Sequence, residues 1–287
     1  EIEGANFIDL TGATLPTGSD DSINITGSAE LKLDFGDLDG LIVTGGGSVQ
    51  ADISGSNSGD DLSEIDVPLQ LNVASGGADL TGPTEFNPGQ PLTLVGDEGV
   101  SAPGPVFDIT GLDTSGDVPN LNRPSTVDLD NVDFTLTAAQ ADGLVVTGAS
   151  EATVELDGTS TNPDLSGADV PVEIENTSGG DTDFGGDLPS GQPITFSGGN
   201  TISLNGNAIP AGAVVSVAAG TTLDVTGGTL GSGVSFIMED TSELTITGAQ
   251  ADGTTIEGAP DPVTGDPQTF GTVNLVGLDG TEDLSGI

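Results

Sequence analysis

The stretch Ala211-Gly212-Ala213-Val214-Val215-Ser216-Val217-Ala218-Ala219-Gly220-Thr221-Thr222-Leu223-Asp224-Val225-Thr226-Gly227-Gly228-Thr229-Leu230-Gly231 decides the architecture of this chain. Val214 to Val217 and Thr221 to Val225 are short β-branched runs with one-sided alternation, the pattern of strands that bury a single face. Glycines stand between them at the spacing of corners, because glycine takes the positive φ that a sharp change of direction needs. Coil after coil of this kind predicts a parallel β-solenoid, in which short strands stack into ladders of Val, Ile, Leu and Thr around a narrow core.

The same grammar extends in both directions. Leu33 to Gly82 matches Leu136 to Gly185 at a constant offset of 103 residues, without a gap. Asp39-Gly40-Leu41 meets Asp142-Gly143-Leu144, Asp61-Leu62-Ser63 meets Asp164-Leu165-Ser166, and Val67-Pro68 meets Val170-Pro171. After one deletion the match resumes as Gln90-Pro91-Leu92-Thr93 and Gln192-Pro193-Ile194-Thr195. A third copy begins near Leu244, where Ala249-Gln250-Ala251-Asp252-Gly253 repeats Ala139-Gln140-Ala141-Asp142-Gly143. It carries an insert with Pro260, Pro262 and Pro267, rejoins at Val273 and reaches Asp283-Leu284-Ser285. A shorter signature, an apolar residue followed by Asp-(Ile/Val)-Thr-Gly, recurs at Phe107 to Gly111 and Leu223 to Gly227, with a relative at Ile8 to Gly12. The chain therefore divides into an N-terminal strand segment (1–30), a first repeat (31–105), a second repeat with an extension (106–235) and a partial third repeat (236–287). Repetition of this kind builds arrays.

A tandem array of β-sandwich domains of about 100 residues is the alternative. Residues 107–198 offer its seven strands: Phe107-Ile109, Val127-Leu129, Phe134-Thr137, Leu144-Thr147, Thr153-Leu156, Val170-Ile174 and Ile194-Phe196. Against it stand the brevity of these runs and the near absence of core aromatics, since the chain has nine Phe and no Trp or Tyr. Pro68 and Pro171 sit where strands begin, which suits an edge or a first position and would keep an edge from templating a neighbour.

Charge narrows the chemistry. Lys32 and Arg123 are the only basic residues against 46 Asp and Glu, and the net charge is −44 with no His and no Cys. Such a chain is repelled by nucleic acid and by anionic membrane. Catalytic triads, thiol nucleophiles, His-ligated metals and phosphate clamps all need residues that are missing or occur once. An acidic disordered tail is set aside by the ordered alternation of the apolar residues. Absence of Cys together with a charge that needs counter-ions points outside the cell, a salt-loving cytoplasm being the other setting. No apolar stretch is long enough to span a membrane, and Glu1-Ile2-Glu3 is unlike a basic signal-peptide start, so the chain reads as a mature or excised segment.

Leu136 through Gly148 and Leu244 through Gly253, together with Asp-Leu-Ser-Gly at 164–167 and 283–286, resemble the repeats of very large secreted bacterial proteins of adhesin-like or surface-layer-like type. The resemblance covers most of the chain. It implies export to the cell surface or matrix, commonly with calcium, and brings no catalytic residue.

Calcium is also the one cofactor whose oxygen ligands this chain supplies in bulk. Asp34, Asp37 and Asp39 before Gly40, the pair Asp60 and Asp61, and Asp181, Asp183 and Asp187 in a Gly-rich turn are the candidate ligands. None of these groups satisfies EF-hand or calcium β-roll spacing. The alternative for each is a turn Asp capping its own backbone, and the recurring Asp-Gly pairs read as turns. The sequence thus leads to a non-enzymatic extracellular structural protein, a subunit or segment of a bacterial filament, surface layer or adhesin stalk that self-assembles and engages divalent cations. An adhesive module with a glycan, mineral or protein ligand is the alternative.

Overall fold

The computed structural model describes residues 2–3, 7–13, 22–82, 84–87, 89–97, 104–112, 124, 126–158, 162–260, 270–278 and 284–286. The protein is nearly all β, a parallel β-solenoid of about 11 turns. No described helix is long and apolar enough to cross a membrane. Strands pair with the strands of neighbouring coils and run parallel to them, as in Val172–Asn176 between Ala152–Leu156 and Ile194–Ser197. A sandwich would need antiparallel sheets, so the solenoid holds. All seven runs proposed for the sandwich are strands, serving as parallel rungs. The chain forms two compact units, Glu1–Leu136 with Leu144–Glu151, and Thr137–Gly143 with Ala152–Ile287.

In the second unit, residues 211–231 form one coil. Val214–Val217 lies between Ile194–Ser197 and Ser235–Met238. The chain turns at Gly220, with φ of 75°, into Thr222–Asp224, which lies between Thr201–Leu204 and Glu243–Thr247. It then passes Gly227 and Gly228 to Thr229–Leu230 on a third face, against Ala208–Ile209. Successive partners in the first column, Ala152, Val172, Ile194, Val215, Phe236 and Ile256, are 20 to 22 residues apart. One turn of the solenoid is therefore about a fifth of the 103-residue sequence repeat.

The first unit shows how the two periods fit. Leu31, Val49, Leu69, Leu92 and Val127 stack in one column. Phe134, which corresponds to Leu31 in the duplication, stacks instead on Phe107 and Ala78 in the next column. One repeat thus advances four turns and one further face. Its strands do not return to the column they left, which is why the repeat length is no multiple of the coil.

Inward columns such as Val154, Ile174, Phe196, Val217 and Met238 are 0–2 % exposed. The few aromatics prove central to this core: Phe86, Phe107, Phe134, Phe184, Phe196 and Phe236 are among its largest fully buried side chains, and Phe35 is buried too. Phe107 and Phe134 stack with ring centroids 6.1 Å apart. Of the two positions expected for the prolines, the structure shows the strand start and not the edge. Pro68 and Pro171 do precede the strands Leu69–Thr81 and Val172–Asn176, yet both strands are paired on two sides. Each proline sits at a corner ahead of the ladder, and its carbonyl still accepts from the preceding coil, from Val49 at 3.0 Å and from Ala152 at 3.0 Å. The proline-containing insert of the third copy falls between Thr255–Gly258 and Thr272–Val276, and its residues Pro262 and Pro267 lie outside the described residues.

Candidate functional site

Carboxylates are the abundant chemical groups, so the site is built from them. In the motif Asp-x-(Ser/Thr) the Asp carboxylate accepts the amide two residues on, closing an Asx turn. The distances are 3.0 Å for Asp9 and Thr11, 3.0 Å for Asp61 and Ser63, 2.8 Å for Asp108 and Thr110, 3.0 Å for Asp164 and Ser166, and 2.9 Å for Asp224 and Thr226. The residue between is apolar, and Leu62, Ile109, Leu165 and Val225 are buried. The short recurring signature is therefore a corner whose Asp turns the chain and whose apolar residue plugs the core. Hydrogen bonds from Thr11 and Ser166 hold the Asp9 and Asp164 carboxyls below the usual carboxylate range.

The Asp-Gly turns have the conformation expected of them, with φ of 64° at Gly40, 67° at Gly143 and 72° at Gly253. Their Asp side chains reach the next coil. Asp39 accepts the Asp61 amide at 2.9 Å while the Gly40 amide donates to the Asp61 carbonyl at 2.8 Å. Asp142, Asp164 and Gly143 repeat this staple at 2.9 and 2.8 Å. In the third copy the counterpart Asp283 lies outside the described residues. Its neighbour keeps the register, since the Ile256 amide donates to the Gly286 carbonyl at 2.8 Å as Val43 donates to Glu64 at 3.1 Å.

These bonds place the candidate calcium ligands. Asp34 accepts the Gly12 amide at 2.6 Å, and Asp37 ends the 3-10 turn Phe35–Asp37. Asp39, Asp60 and Asp61 come together at one corner, where burial and then the charge of Asp39 push the Asp60 carboxyl up. Asp181 accepts the Thr201 amide at 3.2 Å, Asp183 lies in the strand Thr182–Phe184, and Asp187 offers its carbonyl to Leu165 at 2.9 Å. Among the described residues no three acidic side chains converge in the manner of a metal shell.

Side-chain amides missed by the sequence reading do comparable work. Thr137 and Thr247 cap the one-turn helices Ala138–Ala141 and Gly248–Ala251 through reciprocal bonds with Gln140 and Gln250, a capping box. Gln250 also donates to the Val225 and Gly228 carbonyls of the preceding coil at 2.7 and 2.9 Å. Asn176 and Asn207, 2 % and 8 % exposed, bond carbonyls of adjacent coils. The spacing Thr-x-x-Gln was the legible signal for the caps.

The outer face of the first unit carries a second cluster. Strand register sets Lys32, Gln50 and Gln70 in one row and Asp34, Asp52 and Asn72 in the next. Lys32 pairs with Asp52 at 2.7 Å, Asn72 donates to Asp52 at 2.7 Å, and Gln70 and Gln50 donate to Asn72 at 2.9 and 3.2 Å. Asp52 raises the Lys32 pKa. Partial burial raises that of Asp52, and Asn72 and Lys32 together more than offset it, so the carboxyl stays below its usual range. A groove of about 570 Å³ runs beside the network, lined also by Val95 and Asp97. Its carboxylate and amides suit hydrogen bonding to a neutral polar ligand. Comparison with known proteins yields no matching family model, curated protein or solved structure.

Proposed function

We propose that the protein is a non-enzymatic extracellular structural element, a segment of a bacterial filament, surface layer or adhesin stalk. One observation carries this reading. The three motifs that recur along the chain, Asp-Gly, Asp-x-(Ser/Thr) and Thr-x-x-Gln, are each occupied in turning a coil or fastening it to its neighbour. Selection for a stack of coils explains their repetition; selection for a catalytic centre does not. The acidic surface takes up divalent cations, calcium among them, as counter-ions. Immunogold labelling of intact source cells tests the reading. Label on the outer surface or matrix is expected, and label confined to the cytoplasm would overturn it.

A second reading, an adhesive module, is favoured by the Lys32-Asp52-Asn72 network and its groove. It takes a neutral glycan, because the net charge of −44 repels acidic ones. Binding on a glycan array that disappears in Asn72→Ala and Gln70→Ala would support it; an array without signal for the parent chain would dispose of it.

A further inference from the structure

Three coils meet at one corner of the first unit. The Asp39 carboxylate accepts the Asp61 amide of the next coil at 2.9 Å, and Asp61 in turn pairs with Glu85 of the coil after that. The Glu85 amide donates to the Asp60 carbonyl at 3.1 Å, so Thr84 stands one coil beyond Asp60 and in line with it. Leu62 and Phe86, the paired residues two positions on, are both buried. Alternation along a strand therefore turns Asp60 and Thr84 to the same, inner side of the corner. Asp60 is half-buried and feels the charge of Asp39. Thr84 is 7 % exposed, and its Oγ1 has no hydrogen-bond partner among the described residues. Burying a hydroxyl in that way is unfavourable unless something completes it.

The second copy keeps the corner and drops both groups. Asp142 accepts the Asp164 amide at 2.9 Å, but Pro163 stands where Asp60 does. The Leu165 amide donates to the Asp187 carbonyl, and a methyl on Gly186 would be driven into the Pro163 backbone, so Gly186 holds the place of Thr84. Fastening the coils thus needs neither Asp60 nor Thr84. Carboxylate and hydroxyl are present together in one copy and missing together in the other, as groups that share a ligand would be.

We propose that Asp39, Asp60 and the Thr84 hydroxyl bind one calcium ion at this corner, bridging three successive coils, with water completing its shell. Calcium takes about six to eight oxygen ligands in irregular arrangements, whereas magnesium demands a near-ideal octahedron. Two carboxylates and a hydroxyl on the wall of a solenoid suit the former. The ion offsets the repulsion between Asp39 and Asp60 and engages the unpartnered Thr84 oxygen. The proposal deepens the reading of divalent cations as counter-ions: the rest of the acidic surface holds them diffusely, and this corner holds one in place. With two charged ligands its affinity falls in the range of extracellular modules, about 10⁻⁴–10⁻³ M.

Calorimetric titration of calcium chloride into the full chain in molar sodium chloride, where diffuse counter-ion binding is screened, should show one saturable site per chain. Asp60→Asn should weaken it at least about tenfold, because one of two ligand charges is lost, and Thr84→Val should weaken it several-fold. In calcium-free buffer neither change should lower the melting temperature, since Asn relieves repulsion and Val replaces an unpartnered hydroxyl by a methyl of the same shape. Asp187→Asn, at the matching corner of the second copy, should leave binding unchanged. The absence of a saturable site, or a site indifferent to Asp60→Asn or to Thr84→Val, would overturn the assignment. Such a failure leaves the extracellular structural reading standing, which surface labelling decides separately.

Discussion

At Asp142 the carboxylate bonds an amide of the coil that follows, 22 residues on, and the same residue type at Asp164 closes its own turn. Removing the first acceptor in Asp142→Ala should lower stability by about 1–2 kcal/mol in urea unfolding, whereas Asp142→Asn, which keeps an acceptor, should cost under about 0.5 kcal/mol. A charge role would erase that ranking, since Asn removes charge as fully as Ala. Acid response has two parts. The Asp9, Asp52 and Asp164 carboxyls lie below the usual 3.8 when folded, so the stability they contribute is present above 3.8 and lost as pH falls through their lower folded values. Asp60 lies above 3.8, so the folded state gains stability as pH falls through its raised value toward 3.8. Melting temperature should therefore rise on mild acidification and fall below about pH 3.8; a monotonic fall from pH 7 would contradict the assignment of Asp60. The Asp-Gly and Asp-x-Ser spacings were visible in the chain. That the first bonds the second was not, because it depends on the two meeting one coil apart.

Elements here are short, and their corners carry much of the information. Gln250 accepts from the Thr247 amide and hydroxyl and donates to the Val225 and Gly228 carbonyls. Gln250→Ala should cost about 2 kcal/mol. Gln250→Glu should cost more, because it turns a carboxylate toward two carbonyl oxygens, and an equal loss in both variants would show that only the capping box matters. Gly148 has φ of 120°, and a methyl there would be driven into the Leu129 backbone; Gly40 has φ of 64° with open space around it. Gly148→Ala should unfold far more readily than Gly40→Ala, whose cost is about 1 kcal/mol, and similar midpoints in denaturant would refute the close packing of that rung. Strand positions were legible from alternation, as all seven runs between 107 and 198 demonstrate. The strand Thr182–Phe184 escaped notice because three residues with a single buried side chain make no periodic signal.

For the whole molecule the charge of −44 opposes compaction, and the described ion pair Lys32 to Asp52 neutralises little of it. Sodium chloride should raise the melting temperature steeply between low and molar salt. Calcium at matched ionic strength tests for more: a further rise would locate specific binding, with the Asp39, Asp60 and Asp61 corner the first place to mutate. Residues and their local preferences determined the class of this protein by themselves. Alternation of apolar and polar residues makes half-buried strands, glycine and aspartate make corners, and the absence of His and Cys with only two cationic residues leaves carboxylate, hydroxyl and amide as the main polar side-chain groups; each can be read in line. Only the tertiary structure decided which strands stack, that Phe fills the core, and that a 103-residue repeat advances four turns and one face. Those outcomes depend on the pitch of the coil, the sum of many small corner rotations, and no single stretch of the chain contains that sum.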